Sequence, residues 1–470
     1  MSRNKYIFYI ASLLVIVLVV AFASQVRKLQ KQLPSSVRII PSESKSRSDL
    51  AQTVVEENVA ATRPELLVKF RAGISVADIN RITSRFNDQV QDEIEAVPGL
   101  TAIDDRDDAD VAQVADQYRV LAEVEYAEPN YEITIDQNVQ NGSLKRAEDS
   151  GQAEQWAFTH IGVPEAWART KGSSGIVVGV LDSGVEYTHI GLSNNIWTRP
   201  PEMMPYHDQD LGTIDEVHGY NAVANDGDPT DENGHGTAAA GIIGAHCGNG
   251  PPVCGVSPQV AIMPLKFINA GGFGYVGDAV EAINYAINRK RAGINLRLIN
   301  VGWDLAEPSL ALADVIRAAY DVGILFVVSS GSAGTDNDAS PRYPASYRIG
   351  NIISVAATNR SDALAQFSNY GMESVQIAAP GEDILTTALG NDYQLRSGTP
   401  TAASIVTGVA ALALSSHPDV SVDQLRSFLL ESVDKLPGLR GKVSAGGRIN
   451  AMKAVTRSAA IRVQALAQDN

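Results

Sequence analysis

Cysteine is almost missing from this chain: two residues, Cys247 and Cys254, in 470. Two cannot build a disulfide scaffold or supply a four-cysteine zinc site. Positive charge is also short. Lys and Arg number 38 against 54 Asp and Glu, a net charge of −16. Phosphate backbones are held mainly by Lys and Arg, so a chain this acidic is a poor general binder of nucleic acid, and no such partner is expected. Charged residues are 20% and apolar residues 44% of the whole, which rules out a disordered or fibrous chain. His189, His207, His218 and His246 lack metal-ligand spacing and read as surface residues. The length fits roughly three domains of about 150 residues, or one large domain with additions.

What is present begins at the N-terminus. Arg3 and Lys5 precede Tyr6 to Ala23, 18 residues without a charge. This reads as an export signal or a membrane anchor. Ala21-Phe22-Ala23 fits a small-x-small cleavage site, which favours a removed signal. The length of the run, and Arg27, Lys28 and Lys31 directly after it, favour an anchor. Either way the bulk of the chain is expected outside the cytoplasm: secreted, periplasmic, or held to a membrane through residues 6–23. Cys247 and Cys254 then suit a local disulfide closing Gly248 to Val253, with two free thiols as the alternative. Residues 24–62, rich in Ser, Gln, Lys and Glu, read as a linker.

A small module follows over residues 63–136. Leu66 to Phe70 reads as a strand. Val76, Ile79, Ile82 and Phe86 have helical spacing. Leu100 to Ile103 reads as a second strand, Val111 to Val120 as another amphipathic helix, and Val124 to Ile133 as a third strand. That β-α-β-α-β order suggests a small α+β sandwich. Residues 137–153 are polar and read as a second linker. Residues 458–470 form a tail.

From 154 to 457 the pattern changes. Ile176 to Leu181 is a continuous apolar run ending in Asp182-Ser183-Gly184. Val260 to Phe267, Leu296 to Val301, Ile324 to Val328 and Ile352 to Ala356 have the same form, with helical segments such as Gly277 to Arg289 and Leu310 to Tyr320 between them. This is the signature of an α/β domain with a mainly parallel sheet, whose ligands gather at the C-terminal ends of the strands.

Three ordered motifs then carry a resemblance. Val180-Leu181-Asp182-Ser183-Gly184 is similar to the aspartate motif of the subtilisin-like serine proteases, the subtilases. Asn233-Gly234-His235-Gly236-Thr237 resembles their histidine motif. Ser397-Gly398-Thr399-Pro400-Thr401-Ala402-Ala403 stands where their serine motif belongs, followed at the family's spacing by Gly408 and His417-Pro418. The resemblance covers about residues 155–455. It implies a three-layer subtilisin-like domain and an acyl-transfer site needing no cofactor. It also makes residues 63–136 resemble the family's propeptide, a folding aid and intramolecular lid whose tail lies along the active-site cleft.

The chain departs from that pattern at the chemistry itself. Acyl transfer needs a hydroxyl, a His to take its proton and a carboxylate to hold the imidazole. Asp182 and His235 are present, but the serine position is Pro400, which has neither a hydroxyl nor an N–H. The family's oxyanion Asn is replaced by Ser332. The substrate strand reads Gly302-Trp303-Asp304-Leu305, with Asp304 and Leu305 in place of glycines that admit a substrate backbone. Thr399-Pro400 reads as N-cap and first residue of a helix, where a missing N–H is harmless. The expectation is a pseudoprotease that binds a peptide or protein in its cleft. The alternative is an active secreted endopeptidase using Ser397, Thr399 or Thr401 as a shifted nucleophile.

Other signals need a place. Gly272-Phe273-Gly274-Tyr275-Val276-Gly277 matches a dinucleotide fingerprint, but no acidic residue closes a later strand, and the resemblance puts Gly272 and Gly274 at the rim of the substrate cleft, with Gly302, Trp303 and Asp304. Asp226, Asp228 and Asp231, with Glu232, form an acidic loop before His235. It reads as a calcium site or as a solvated loop. Asp336 and Asp338 form a similar pair. Trp156, Trp167 and Trp303 read as packing residues more than binding ones, although Trp303 also falls among the cleft residues.

Overall fold

The computed structural model describes residues 65–106, 109–135, 155–248 and 253–456. The apolar run 6–23, the linkers at 24–62 and 137–153, and the tail 458–470 lie outside the described residues. Among those described, the one helix long and apolar enough to cross a membrane is Thr399–Ser416, and it is the central helix of the core.

The N-terminal module is a four-stranded antiparallel sheet in the order β2-β3-β1-β4. Its strands are β1 Leu66–Phe70, β2 Asp88–Glu93, β3 Leu100–Asp105 and β4 Val124–Pro129. Helix α1, Val76–Thr83, starts at an N-cap Ser75, and α2, Val111–Arg119, at an N-cap Asp110. The alternation of β1 explains the packing. Leu66 and Val68 meet α1 and α2, while Leu67 points at the larger domain. The sequence reading lacked β2, because Asp-Gln-Val-Gln-Asp-Glu carries almost no apolar signal. It also ran the last strand on to Ile133. The chain in fact breaks at Asn130-Tyr131 and forms a separate strand β5, Glu132–Thr134.

The large domain is built on a nine-stranded sheet. Its central strands are β6 Val177–Asp182, β10 Ala261–Lys266, β12 Leu296–Val301, β13 Leu325–Ser329, β14 Ile352–Thr358 and β15 Ile377–Pro380, all parallel. Short edge strands complete it: β9 Tyr220–Asn221 on one side, β19 Gly447–Ile449 and the antiparallel β18 Val433–Lys435 on the other. Three hairpin or rim pieces lie outside the sheet: β7 Tyr206–Asp208 with β8 Gly212–Ile214, β11 Phe273–Tyr275, and β16 Ile384–Ala388 with β17 Asp392–Arg396.

Both faces of the sheet are covered, which is why its strands are apolar without alternation. Val178, Val180, Leu325 and Val327 enter one core, shared with α3 Trp156–His160, α4 Val163–Trp167, α5 His235–Gly244, α8 Thr399–Ser416 and α9 Val422–Glu431. Val177, Leu181, Phe326 and Val328 enter the other, shared with α6 Val276–Arg291 and α7 Leu310–Asp321. Leu67, Leu100 and Ala102 of the N-terminal module join this second core. The module is therefore packed on α6 and α7 as a fourth layer.

Candidate active site

Asp182 is the last residue of β6 and fully buried. His235 is the first residue of α5, after Gly234 at φ 96°. His235 Nδ1 lies 2.8 and 2.9 Å from the two Asp182 carboxylate oxygens. That contact leaves Nε2 as the free face of the imidazole. The loops carrying the pair are locked together by Asp231. Its carboxylate accepts from Ser183 Oγ (2.8 Å), from the N–H groups of Asn233 and Gly234, and from Thr237 N and Oγ1 (2.9 and 2.6 Å). Lys266 Nζ donates to the carbonyls of Ser183 (3.1 Å) and Thr230 (2.8 Å) and pairs with Glu232.

Opposite stands the N-terminus of α8. Its N-cap is Gly398, so Thr399 is the first helical residue and Pro400 the second, one position later than the sequence reading had it. The physical reason for tolerance is unchanged, since first-turn N–H groups have no helical acceptor. A Cβ on Gly302 would stand 2.9 Å from His235 Cε1, 3.1 Å from Asp182 Oδ2 and 3.4 Å from Pro400 Cβ. The three thus surround one point, and residue 400 faces the imidazole with a hydrocarbon ring.

The neighbouring hydroxyls are engaged elsewhere. Thr399 Oγ1 accepts from Gly331 N–H (3.1 Å) and shares a hydrogen bond with Ser332 Oγ (3.1 Å). Ser332 Oγ also accepts the Thr399 N–H (3.2 Å). Ser397 Oγ accepts from Asp383 N–H (3.0 Å). Ser404 Oγ donates to Pro400 O (3.0 Å). Thr401 borders the small cavity, about 30 Å³, beside His235. Among the described residues no hydroxyl is hydrogen-bonded to His235 Nε2.

A larger cavity of about 480 Å³ runs from Pro400 past Gly302, Asp304, Ser332 and Arg342 to the tail of the N-terminal module. Asp304 is ion-paired with Arg342 inside it. Leu305 forms a two-way backbone pair with Tyr343 (2.8 and 2.9 Å). Trp303 borders the cavity, but its indole is 2% exposed, donates to Leu181 O (3.0 Å) and packs on Phe267 with ring centroids 5.0 Å apart. It belongs to the core under the cleft, which fits its reading as a packing residue and corrects its placement among the substrate-binding side chains.

Strand β5 enters this cleft as an antiparallel partner of β11, with Ile133 opposite Gly274. Ile135 N–H reaches Gly272 O (3.0 Å), and Val276 N–H reaches Tyr131 O (3.0 Å). Gly274 is required because a Cβ there would fall 2.2 Å from Phe267 O. The glycine-rich stretch is therefore a docking strand. Above it, Glu128 caps α7, accepting from Ser309 Oγ (2.5 Å), Leu310 N (2.8 Å) and Ala311 N (3.1 Å). Burial raises its carboxyl above the ordinary value, against those hydrogen bonds. Asn130 Oδ1 accepts from Gly277 N at the start of α6 (2.7 Å). Neither cap carried a sequence signal: Glu128 and Asn130 sit 182 and 147 positions from the helices they close.

The remaining candidates are placed as follows. Cys247 and Cys254 are joined as a disulfide. Asp226, Asp228 and Asp231 do not bring ligand oxygens together. Asp226 Oδ1 accepts from Asn221 Nδ2 and Asp228 N, Asp228 Oδ1 from Tyr187 and Thr230, and Asp231 is consumed by the network above. Asp336 and Asp338 also turn to backbone and serine partners, Asp338 Oδ1 accepting from Ser374. His189 is fully buried, a correction to its reading as a surface residue. It contacts Asp392 O through Nε2 (3.1 Å) and accepts Gly191 N–H at Nδ1 (2.9 Å).

A parallel three-layer sheet with Asp at one strand end, His at the next helix start and a third helix N-terminus facing them is the subtilisin-type frame for a Ser-His-Asp site. The chain belongs to the subtilase family, whose model matches residues 173–448. A second family model, the fervidolysin N-terminal prodomain, matches residues 49–130. A thermophilic serine proteinase of Bacillus sp. (strain AK1) is 32% identical over 85% of this chain and 86% of its own length. Subtilisin-like protease 1 of Plasmodium vivax is 32% identical over 59% of this chain, and subtilisin-like protease 2 of Plasmodium falciparum 36% identical over 55%. This chain spans 46% and 19% of those two relatives. The N-terminal module is accordingly a subtilase-type prodomain, and the pairing of β5 with β11 is consistent with an intramolecular lid.

Proposed function

We propose that this protein is an exported pseudoprotease, a subtilase that binds an extended peptide or protein segment without cutting it. The observation that carries the reading is Pro400 facing His235. It removes the nucleophile, and with it the backbone N–H that would help hold an oxyanion. Ser332 adds to the loss, because its hydroxyl is committed to Thr399. What survives is a backbone-pairing edge at β11, which recognises an extended chain by strand addition. Residues 132–134 already use it. Export rests on the apolar run 6–23 and on the Cys247–Cys254 disulfide, a bond suited to oxidising compartments.

The test is direct. The purified full chain should not be labelled by a fluorophosphonate probe, and should hydrolyse casein no faster than a His235→Ala variant. Labelling that His235→Ala abolishes would overturn the reading. A second reading, an active protease, is favoured by Thr401 bordering the cavity beside His235. It requires the same labelling to vanish in Thr401→Ala.

A further inference from the structure

Away from the cleft, the prodomain and the peptidase domain meet across a set of buried acids. Asp92 comes from β2, where a register shift between Val90 and Asp92 breaks the pairing with β3. Asp208 comes from β7 and Glu281 from the middle of α6. One carboxylate oxygen of each lies within 4.8 Å of the others, and all three residues are buried. Asp92 is 7% exposed, and its Oδ1 has no hydrogen-bond partner.

Burial with mutual repulsion raises the Asp92 and Glu281 carboxyls above their ordinary values. Tyr206 O–H is shared between Asp208 Oδ2 (3.2 Å) and Glu281 Oε1 (3.1 Å), and one proton serves only one of them at a time. Asn284 Nδ2 reaches Glu281 Oε2 (3.0 Å) and Glu95 Oε2 (2.6 Å). Asp208 Oδ1 accepts the N–H groups of Asp210 and Leu211. Glu95 and Asp210 add two more carboxylates, each holding a backbone N–H across the interface. Among the described residues no Lys or Arg is ion-paired with Asp92, Asp208 or Glu281; the nearby Arg289 is paired with Glu216.

We infer that Asp92, Asp208 and Glu281 form a divalent-cation site of the calcium class, which clamps the prodomain to the peptidase domain. The chemistry selects the ion. The donors are hard oxygens without nitrogen or sulfur, which suits calcium or magnesium over zinc or copper. Calcium ligands at about 2.3–2.6 Å stand up to about 5 Å apart across the ion, the spacing found here. Tyr206 Oη and waters can complete the shell, and calcium tolerates such an irregular set better than magnesium. Because ligands come from both domains, cation binding and prodomain docking are linked equilibria.

The experiment uses the full chain, with mass spectrometry confirming that residues 65–135 are retained. The chelator-treated protein is titrated with CaCl2 by calorimetry and melted with and without the ion. Wild type should bind one ion more than Asp92→Asn or Glu281→Gln. Calcium should raise its melting temperature by about 4 °C or more, a rise reduced in both variants. In chelator the order should invert, with Asp92→Asn melting above wild type because a repelling charge is gone. Equal stoichiometry in wild type and both variants would overturn the site, as would a wild type insensitive to calcium but stabilised by acid, the mark of carboxyls sharing protons. A measurement without variants stands beside these. After the linker at 137–153 is nicked, wild-type prodomain should leave about 10-fold faster in chelator than in CaCl2, and equal rates would refute the clamp.

Discussion

Restoring the lost chemistry stepwise is the sharpest test of how the cleft is read. Pro400→Ser returns a hydroxyl to a position facing His235, and it returns the backbone N–H of residue 400. In proteases of this class loss of the nucleophile is worth about 10⁶ in turnover, and loss of one oxyanion side-chain donor about 10²–10³. The structure says that the second deficit persists in the single variant. Ser332 Oγ is bound to both Thr399 N–H (3.2 Å) and Thr399 Oγ1 (3.1 Å), so it is turned towards the helix and away from a reacting carbonyl. Pro400→Ser with Ser332→Asn should therefore exceed Pro400→Ser alone by about 10²-fold. The assay has two parts: cleavage of the chain's own 137–153 linker, followed on a gel, and kcat/KM on a peptide p-nitroanilide once the prodomain is digested away. Asp304 and Leu305 impose a further limit, because the Asp304–Arg342 ion pair lies in the cleft and the Leu305–Tyr343 pairing ties down the backbone next to it. Glycine at both positions should add a last increment, chiefly in KM. If Pro400→Ser matched the double variant, the argument from Ser332 would be wrong. If the quadruple variant folded and stayed inert, the decisive change would lie outside these four residues.

Three further outcomes follow from the same geometry. The wild-type chain, made in a protease-poor host, should keep its 137–153 linker intact; concentration-independent cleavage there would contradict the absence of a nucleophile. Glu128→Ala leaves the donors of α7's first turn unpaired, and should weaken prodomain docking by about 1–3 kcal/mol, read as faster prodomain release after the linker is nicked. Burial opposes ionisation of Asp434, but hydrogen bonds from Lys453, Asn450 and Arg448 outweigh it and hold its carboxyl below the ordinary 3.8. A folded-state value below the unfolded one means stability that is present above 3.8 and lost as pH falls through the lowered value. Asp434→Asn should therefore flatten the acid limb of the wild-type melting profile; an unchanged profile would refute the assignment.

Much of this was legible in the chain, and the rest was not for identifiable reasons. Strands β6, β12 and β13 announce themselves because both faces are buried, so their residues are mostly apolar with no alternation. Asp182, His235 and Pro400 are legible because motif order survives even where the chemistry has changed. Strand β2 is illegible because its stability comes from pairing with β3 and from the domain beneath it. Asp231 looks like a surface acid in a polar loop, and only the folded loops reveal five donors converging on it. His189 is polar by composition, yet satisfied by one backbone carbonyl and one backbone N–H. Glu128 and Asn130 act on helices far along the chain, a relation that no local window contains.

The position of β5 against β11 has a consequence for any partner. The lid belongs to the same chain as the surface it covers, and a covalent link of this kind gives an effective concentration of up to about the millimolar range. A ligand arriving in trans competes with that local concentration, so its apparent affinity falls by the fraction of time the edge is bare. Severing the tether at 137–153 removes the advantage at once and irreversibly. On the proposed reading of the cleft, control of the binding edge then passes to whichever protease shares the chain's compartment.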